Sequence, residues 1–114
     1  MDSKKRLEES KLFTPYKLGS VTLRNRVIRS AAFESMGKDF SPTQALKDYH
    51  VSVAKGGVGM TTVAYASINR SGISFNKQLW LRDEIVPALR DLTDAVHNEG
   101  AAVGIQLGHC GNMT

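Results

Sequence analysis

The sequence carries one cysteine, Cys110, no apolar run long enough to cross a membrane, and little excess of either charge. A lone thiol cannot close an internal disulfide, which points to a reducing compartment and a cytoplasmic location. Without a long apolar run no transmembrane helix is expected, and the charged residues 1–11 do not have the form of a secretory signal. The Asn69-Arg70-Ser71 triplet therefore carries little weight as a glycosylation sequon. Fifteen Lys and Arg against eleven Asp and Glu leave a formal charge of +4. Its one basic cluster, Lys4, Lys5 and Arg6, is answered at once by Glu8 and Glu9. That run reads as a solvated N-terminal arm over 1–11, not as a nucleic-acid patch, and no aromatic or helical reading surface accompanies it. Neither a nucleic-acid nor a membrane partner is expected, and no metal ligand set is assigned.

What is present is the balance of a globular protein, 41% apolar and 23% charged over 114 residues. Tyr16 to Leu23 reads as a short hairpin turning at Gly19-Ser20, an edge or lid feature. After the polar joint Arg24-Asn25-Arg26, Val27 to Phe33 reads as the first strand of a main sheet. The small Ser30, Ala31 and Ala32 either leave the backbone approachable or pack beneath a helix. Ser41 is expected to cap a helix with Pro42 in its first turn and Gln44 completing a capping box, running to about Lys55. Gly56 and Gly57 stop it, and Val58 to Ala66 follows as a strand. The order helix, glycines, strand is wrong for a phosphate cradle. Residues 67–82 read as a long polar loop holding Trp80. A second helix starts near Asp83 or Glu84, tolerates Pro87 in its first turn, and carries the stripe Ile85, Leu89, Leu92, Val96; His97 reads as a partner of the helix C-terminus or an exposed residue. Gly100 closes that helix before the strand beginning at Ala101.

Strand, helix, strand, helix, strand predicts a parallel sheet with crossover helices, either an open doubly wound sheet or a closed βα barrel. Phe33 to Gly37 lacks the glycine fingerprint that an open dinucleotide-binding sheet places after its first strand, so the barrel is favoured. Both architectures gather function at the C-terminal strand ends, here Ala31 to Glu34, Ala64 to Ser67 and Gln106 to Gly111. A core strand has no use for Gln106. Its amide presents a donor and an acceptor together, suited to the adjacent N–H and C=O groups of a planar heterocycle, and it is expected to be inward and costly unless paired.

The residues Leu12-Phe13-Thr14-Pro15, Leu23-Arg24-Asn25-Arg26, Lys55-Gly56-Gly57-Val58-Gly59, Asp94 to Gly100, and above all Gln106-Leu107-Gly108-His109-Cys110-Gly111 occur in order and with family-like spacing. From Leu12 onward the chain resembles the N-terminal part of the old yellow enzyme family, FMN-dependent NAD(P)H:flavin oxidoreductases and ene-reductases. Arg29 to Glu34 is closer to the branch resembling 2-enoate and dienoyl-CoA reductases.

The resemblance implies a domain over 12–114 that is the first three βα units of a (β/α)8 barrel, an incomplete α/β barrel preceded by a hairpin, since a whole barrel takes about 250 residues. It implies FMN as cofactor, NADH or NADPH as reductant, and a small activated alkene as substrate. Gln106 would hold the pyrimidine edge of the flavin, with Ala31, Ala32, Ala64 and Tyr65 against it through backbone groups. Phe33 falls where many relatives have a Thr or Cys that hydrogen-bonds the flavin, a contact that Phe cannot make. Gly108, often Trp in the family, and His109 would line the substrate pocket, His109 as a wall and not as an acid or base, and Asn112 replaces a commoner Arg. The catalytic acid and the pair binding the substrate carbonyl belong to later strands. The alternative is a noncatalytic remnant or interaction fragment.

Overall fold

The structure, a computed structural model, describes residues 9–113, so the basic cluster Lys4 to Arg6 lies outside it. Tyr16–Leu18 (β1) and Val21–Leu23 (β2) form the expected antiparallel hairpin, with Leu18 opposite Val21. Gly19 takes φ +60°, the positive value that a tight two-residue turn demands and that glycine supplies without a Cβ penalty. Only Leu23 of the hairpin is buried. The hairpin is thus a cover on the sheet and not part of the core.

Four parallel strands form the main sheet: Ile28–Arg29 (β3), Met60–Ser67 (β4), Leu79–Trp80 (β5) and Ala102–Gly108 (β6). Strand β6 pairs along β4 from Met60↔Ala102 to Ser67↔Gly108, while β3 meets its start and β5 its end. Helices Gln44–Lys55 (α1) and Val86–Asn98 (α2) make the crossovers and pack against one another and the sheet. Between them lies a core of Leu46, Ala54, Val63, Ala66, Leu79, Leu92, Val96 and Ala101, which Leu89, Val103 and Ile105 extend. The helical stripe is as expected, with Ile85, Leu92 and Val96 buried and His97 exposed. No helix among the described residues is long and apolar enough to cross a membrane.

Three expectations need correction. The first strand is only Ile28–Arg29, and residues 30–37 run on without sheet pairing, with Ser30 and Ala32 exposed and Ala31 half-buried. The cap of α1 is Thr43, whose Oγ1 accepts from the Leu46 N–H at 3.1 Å, while Ser41 pairs with Lys38 in an isolated bridge. Pro42 therefore precedes the helix. Residues 67–82 are not one open loop: Asn69 caps a 3-10 turn at Arg70–Gly72, and Leu79–Trp80 adds to the sheet. Two residues give too short a run to show alternation, which is why β5 is silent in the sequence.

The polar joint before β3 fastens the bottom of the fold. The Arg24 guanidinium donates to the carbonyls of Ala54 (2.6 Å), Val58 (3.1 Å) and Glu99 (2.7 Å), gathering the ends of both helices and the approach to β4. A cation suits those positions because helix C-termini expose unpaired carbonyls at the negative end of the macrodipole. Asn25 adds a bond from its side-chain amide to the Gly57 carbonyl at 2.6 Å. Gly59 lies so close beneath that an added Cβ would collide with the Asn25 carbonyl oxygen. Arg24→Ala is expected to lower stability by about 1–3 kcal/mol, and Arg24→Lys to recover less than half, because an ammonium cannot serve three diverging carbonyls. The check is a urea titration, in which the midpoint falls at unchanged slope. Gly59→Ala is expected to reduce the thermal midpoint as well, through backbone collision; an unchanged midpoint would show that the joint is loose.

Candidate functional site at the strand ends

The ladder between β4 and β6 is regular to Val63↔Ile105 and resumes at Ala66↔Leu107, so Ala64 and Tyr65 together face the single residue Gln106. Two residues against one is a β-bulge, a device that re-aims side chains and bends a strand. The peptide bond between Ala64 and Tyr65 is cis. Val103 and Ile105 pack toward the helices, so alternation sends Gly104 and Gln106 to the opposite face, where the Met60 side chain lies against Gly104. Gln106 therefore faces away from the helices, but it is exposed where a buried amide was expected, and its side chain meets no hydrogen-bond partner among the described residues. A free donor and acceptor thus stand beside the bulge.

The other expected site residues gather around this point. Ala31 is half-buried and Ala32 exposed on the unpaired stretch after β3, while Ala64 is buried and Tyr65 half-buried in the bulge. The Phe33 ring lies 5.0 Å from that of Tyr65 and stacks on Phe75 at 5.4 Å, the Tyr65 hydroxyl bonding Ser74 Oγ at 2.7 Å. Buried Gln78 organises that loop, its Oε1 accepting from the Ser74 N–H (2.7 Å), the Ser74 hydroxyl (2.9 Å) and the Phe75 N–H (2.9 Å). Gly108 has open space where a Cβ would stand. His109 Nδ1 accepts from the Gly111 N–H at 2.9 Å, which leaves the other ring nitrogen to carry the proton of a neutral ring and donate to Ser71 Oγ at 3.0 Å. Its ring also covers Gly72, so His109 ties the loop after β4 to the loop after β6.

The sequence reading missed a buried polar cluster directly beneath these residues. The Glu34 side chain, 1% exposed, accepts from Arg29 Nη1 at 3.1 Å and from His50 Nε2 at 3.0 Å. Both Glu34 oxygens also face the Ala64 N–H, at 3.2 and 3.3 Å. His50 Nδ1 sits 2.8 Å from Thr61 Oγ1. With Nε2 donating to the carboxylate, Nδ1 of a neutral His50 accepts a hydrogen bond from the Thr61 hydroxyl. Hydroxyl, imidazole, carboxylate is also the order of a hydrolytic triad, but Thr61 and His50 are wholly buried and no substrate reaches them. Two signals were available: Glu34 is a charge ending a small apolar run, and His50 falls between Leu46 and Ala54 on the buried stripe of α1. Among the described residues no group of three His, Cys, Asp or Glu could hold a metal ion.

Chemically, the site offers one open amide, small side chains beside a bulge and an interrupted ladder, and an aromatic shelf. That suits the edge and face of a planar heterocycle better than a phosphate or a metal. The chain is 42% identical over 100 residues to the 4,4'-dithiodibutanoate disulfide reductase of Rhodococcus erythropolis, covering 88% of this chain and 25% of that protein. It is 41% identical over 106 residues to the NADPH dehydrogenase of Listeria welshimeri, covering 90% of this chain and 31% of that protein. The old yellow enzyme structure from Pichia sp. AKU4542 superposes with a TM-score of 0.87 at 21% identity over 95% of this chain and 28% of its own, a likeness of fold. The chain thus spans about a quarter to a third of the length of these relatives. The model of the NADH:flavin oxidoreductase / NADH oxidase family matches residues 11–114, and the chain belongs to that family of FMN-dependent NAD(P)H oxidoreductases.

Proposed function

We propose that these residues form the first three βα units of an FMN-binding (β/α)8 barrel, whose whole protein uses NADH or NADPH to reduce small activated alkenes in the cytoplasm. The single observation that carries this is Gln106, an unpartnered amide opposite the Ala64–Tyr65 bulge at the C-terminal ends of parallel strands. Those ends are where βα folds bind their ligands. The names of the curated relatives, a disulfide reductase and an NADPH dehydrogenase, support reductive chemistry and leave the oxidised substrate to be tested.

The residues present fit the cofactor. Gln106 would pair with the pyrimidine edge by donating from Nε2 and accepting at Oε1, which fixes in-plane orientation. Ala31, Ala32, Ala64 and Tyr65 would meet the ring through backbone and small side chains, and Phe33, braced by Tyr65 and Phe75, would exclude water from one border. Gly108 leaves room for substrate beside His109, which holds its loops and is not an acid or base. When bound, FMN would supply the redox chemistry, hydride transfer from the nicotinamide to the electron-poor alkene carbon, with the proton for the neighbouring carbon coming from the acid expected on later strands. The protein's contribution is binding, orientation and exclusion of water. A second reading, an interaction fragment without turnover of its own, is favoured by one feature: the β6 edge turned away from β4 has no partner strand among the described residues.

The full-length protein is expected to purify yellow with FMN, and a colourless protein that takes up no FMN would overturn the proposal. Gln106→Leu keeps the size and removes both polar atoms. It is expected to weaken FMN binding by about 10- to 100-fold, the loss of two hydrogen bonds. Quenching of flavin fluorescence on titration measures this, and an unchanged affinity with an unchanged visible spectrum would contradict the assignment.

A further inference from the structure

We infer that Glu34 is a positioning residue for the flavin-facing rim, acting through the backbone N–H of Ala64, with Arg29 and His50 holding its carboxylate. The inference rests on the reading of the strand ends as an FMN site. Its basis is where the sheet gives out. Pairing between β3 and β4 stops at Arg29↔Thr61, and beyond it side chains replace the ladder: Arg29 Nη1 donates to the Thr62 carbonyl at 2.7 Å, and the Glu34 carboxylate accepts from the Ala64 N–H. Arg29 Nη2 also donates to the Ala32 carbonyl at 3.3 Å. One ion pair thus holds both backbone stretches assigned to the flavin, 31–33 and 64–65.

Stability alone does not account for the arrangement. A buried ion pair is often no more stabilising than apolar residues of the same volume, because desolvation offsets the attraction. Here each charged atom is spent on a backbone group that the bulge and the broken ladder leave without a partner, or on a neighbour that braces it. Glu34 makes no contact that would place it in the site itself; it fixes where the rim stands. His50, wholly buried on α1, ties that rim to the helix layer through Thr61.

The test is Glu34→Gln in the full-length protein, read in three ways. A nitrogen–proton correlation spectrum of the flavin-free protein should show the Ala64 amide downfield and slow to exchange, and both properties should be lost in the variant. The FMN dissociation constant should rise about tenfold or more, a loss the size of a charge-assisted hydrogen bond, and the visible band of the bound flavin should shift. His50→Gln keeps the carboxylate but loosens it, and should give a smaller change in the same direction. It decides the matter if Glu34→Gln does not fold. A lowered thermal midpoint with FMN affinity within twofold and an unshifted spectrum would overturn the inference and leave Glu34 a structural residue only. A wild-type protein that takes up no FMN would instead overturn the flavin reading and the inference with it, whatever the Ala64 amide shows.

Discussion

Where the sheet opens at the strand ends, the contact between the Glu34 carboxylate and the Ala64 N–H replaces the ladder. A parallel sheet satisfies its backbone through neighbouring strands, and a strand that must splay open loses those partners. Here the loss falls just after Arg29↔Thr61, where β3 ends, and inside the Val63 to Ala66 bulge of β4. The Arg29 and Glu34 side chains take over the abandoned backbone groups, and His50 anchors the pair from α1. Side chains thus serve backbone groups that the ladder no longer pairs, and among the described residues no buried side-chain polar atom lacks a partner of its own.

The opposite end of the fold solves a different problem by similar means. Arg24 gathers carbonyls from the ends of both helices and from the approach to β4, and Asn25 packs against Gly59. The polar joint in the sequence is a structural clamp, far from the strand ends. One arginine fixes the closed bottom and another, Arg29, braces the open top. Only the second borders the residues proposed to meet the cofactor, through the Thr62 and Ala32 carbonyls.

Much of this was legible in the chain. The α2 stripe gave away its buried face because Leu92 and Val96 recur at helical spacing, with Ile85 buried in the 3-10 turn just before the helix, and Gly57 and Gly100 marked helix ends with positive φ. The convergence of three strand ends followed from the order of the elements. The misreadings have local causes. Thr43 and Ser41 are both able to cap, and the choice between them is made by tertiary contacts, the Thr43 hydroxyl donating to the Met36 carbonyl while Ser41 receives Arg82. Ser30 to Phe33 looked like strand because small apolar residues do not announce that their ladder partners are missing. Gln106 stands at a strand end as expected but is exposed where a buried amide was expected, since no composition rule states what covers a strand's free face. The Glu34 cluster stayed hidden because Arg29, Glu34, His50, Thr61 and Ala64 lie on four elements and meet only in the fold.

On the proposed reading, the open amide at the end of β6 meets a flavin whose rim the Glu34 cluster sets in place. A crystal structure of the full-length protein grown with FMN tests it most directly. The claim predicts an isoalloxazine over the strand ends with Gln106 Nε2 and Oε1 each about 3 Å from its pyrimidine edge, a hydrogen-bond distance. An isoalloxazine bound elsewhere, or a Gln106 amide turned away from it toward protein or solvent, would contradict it.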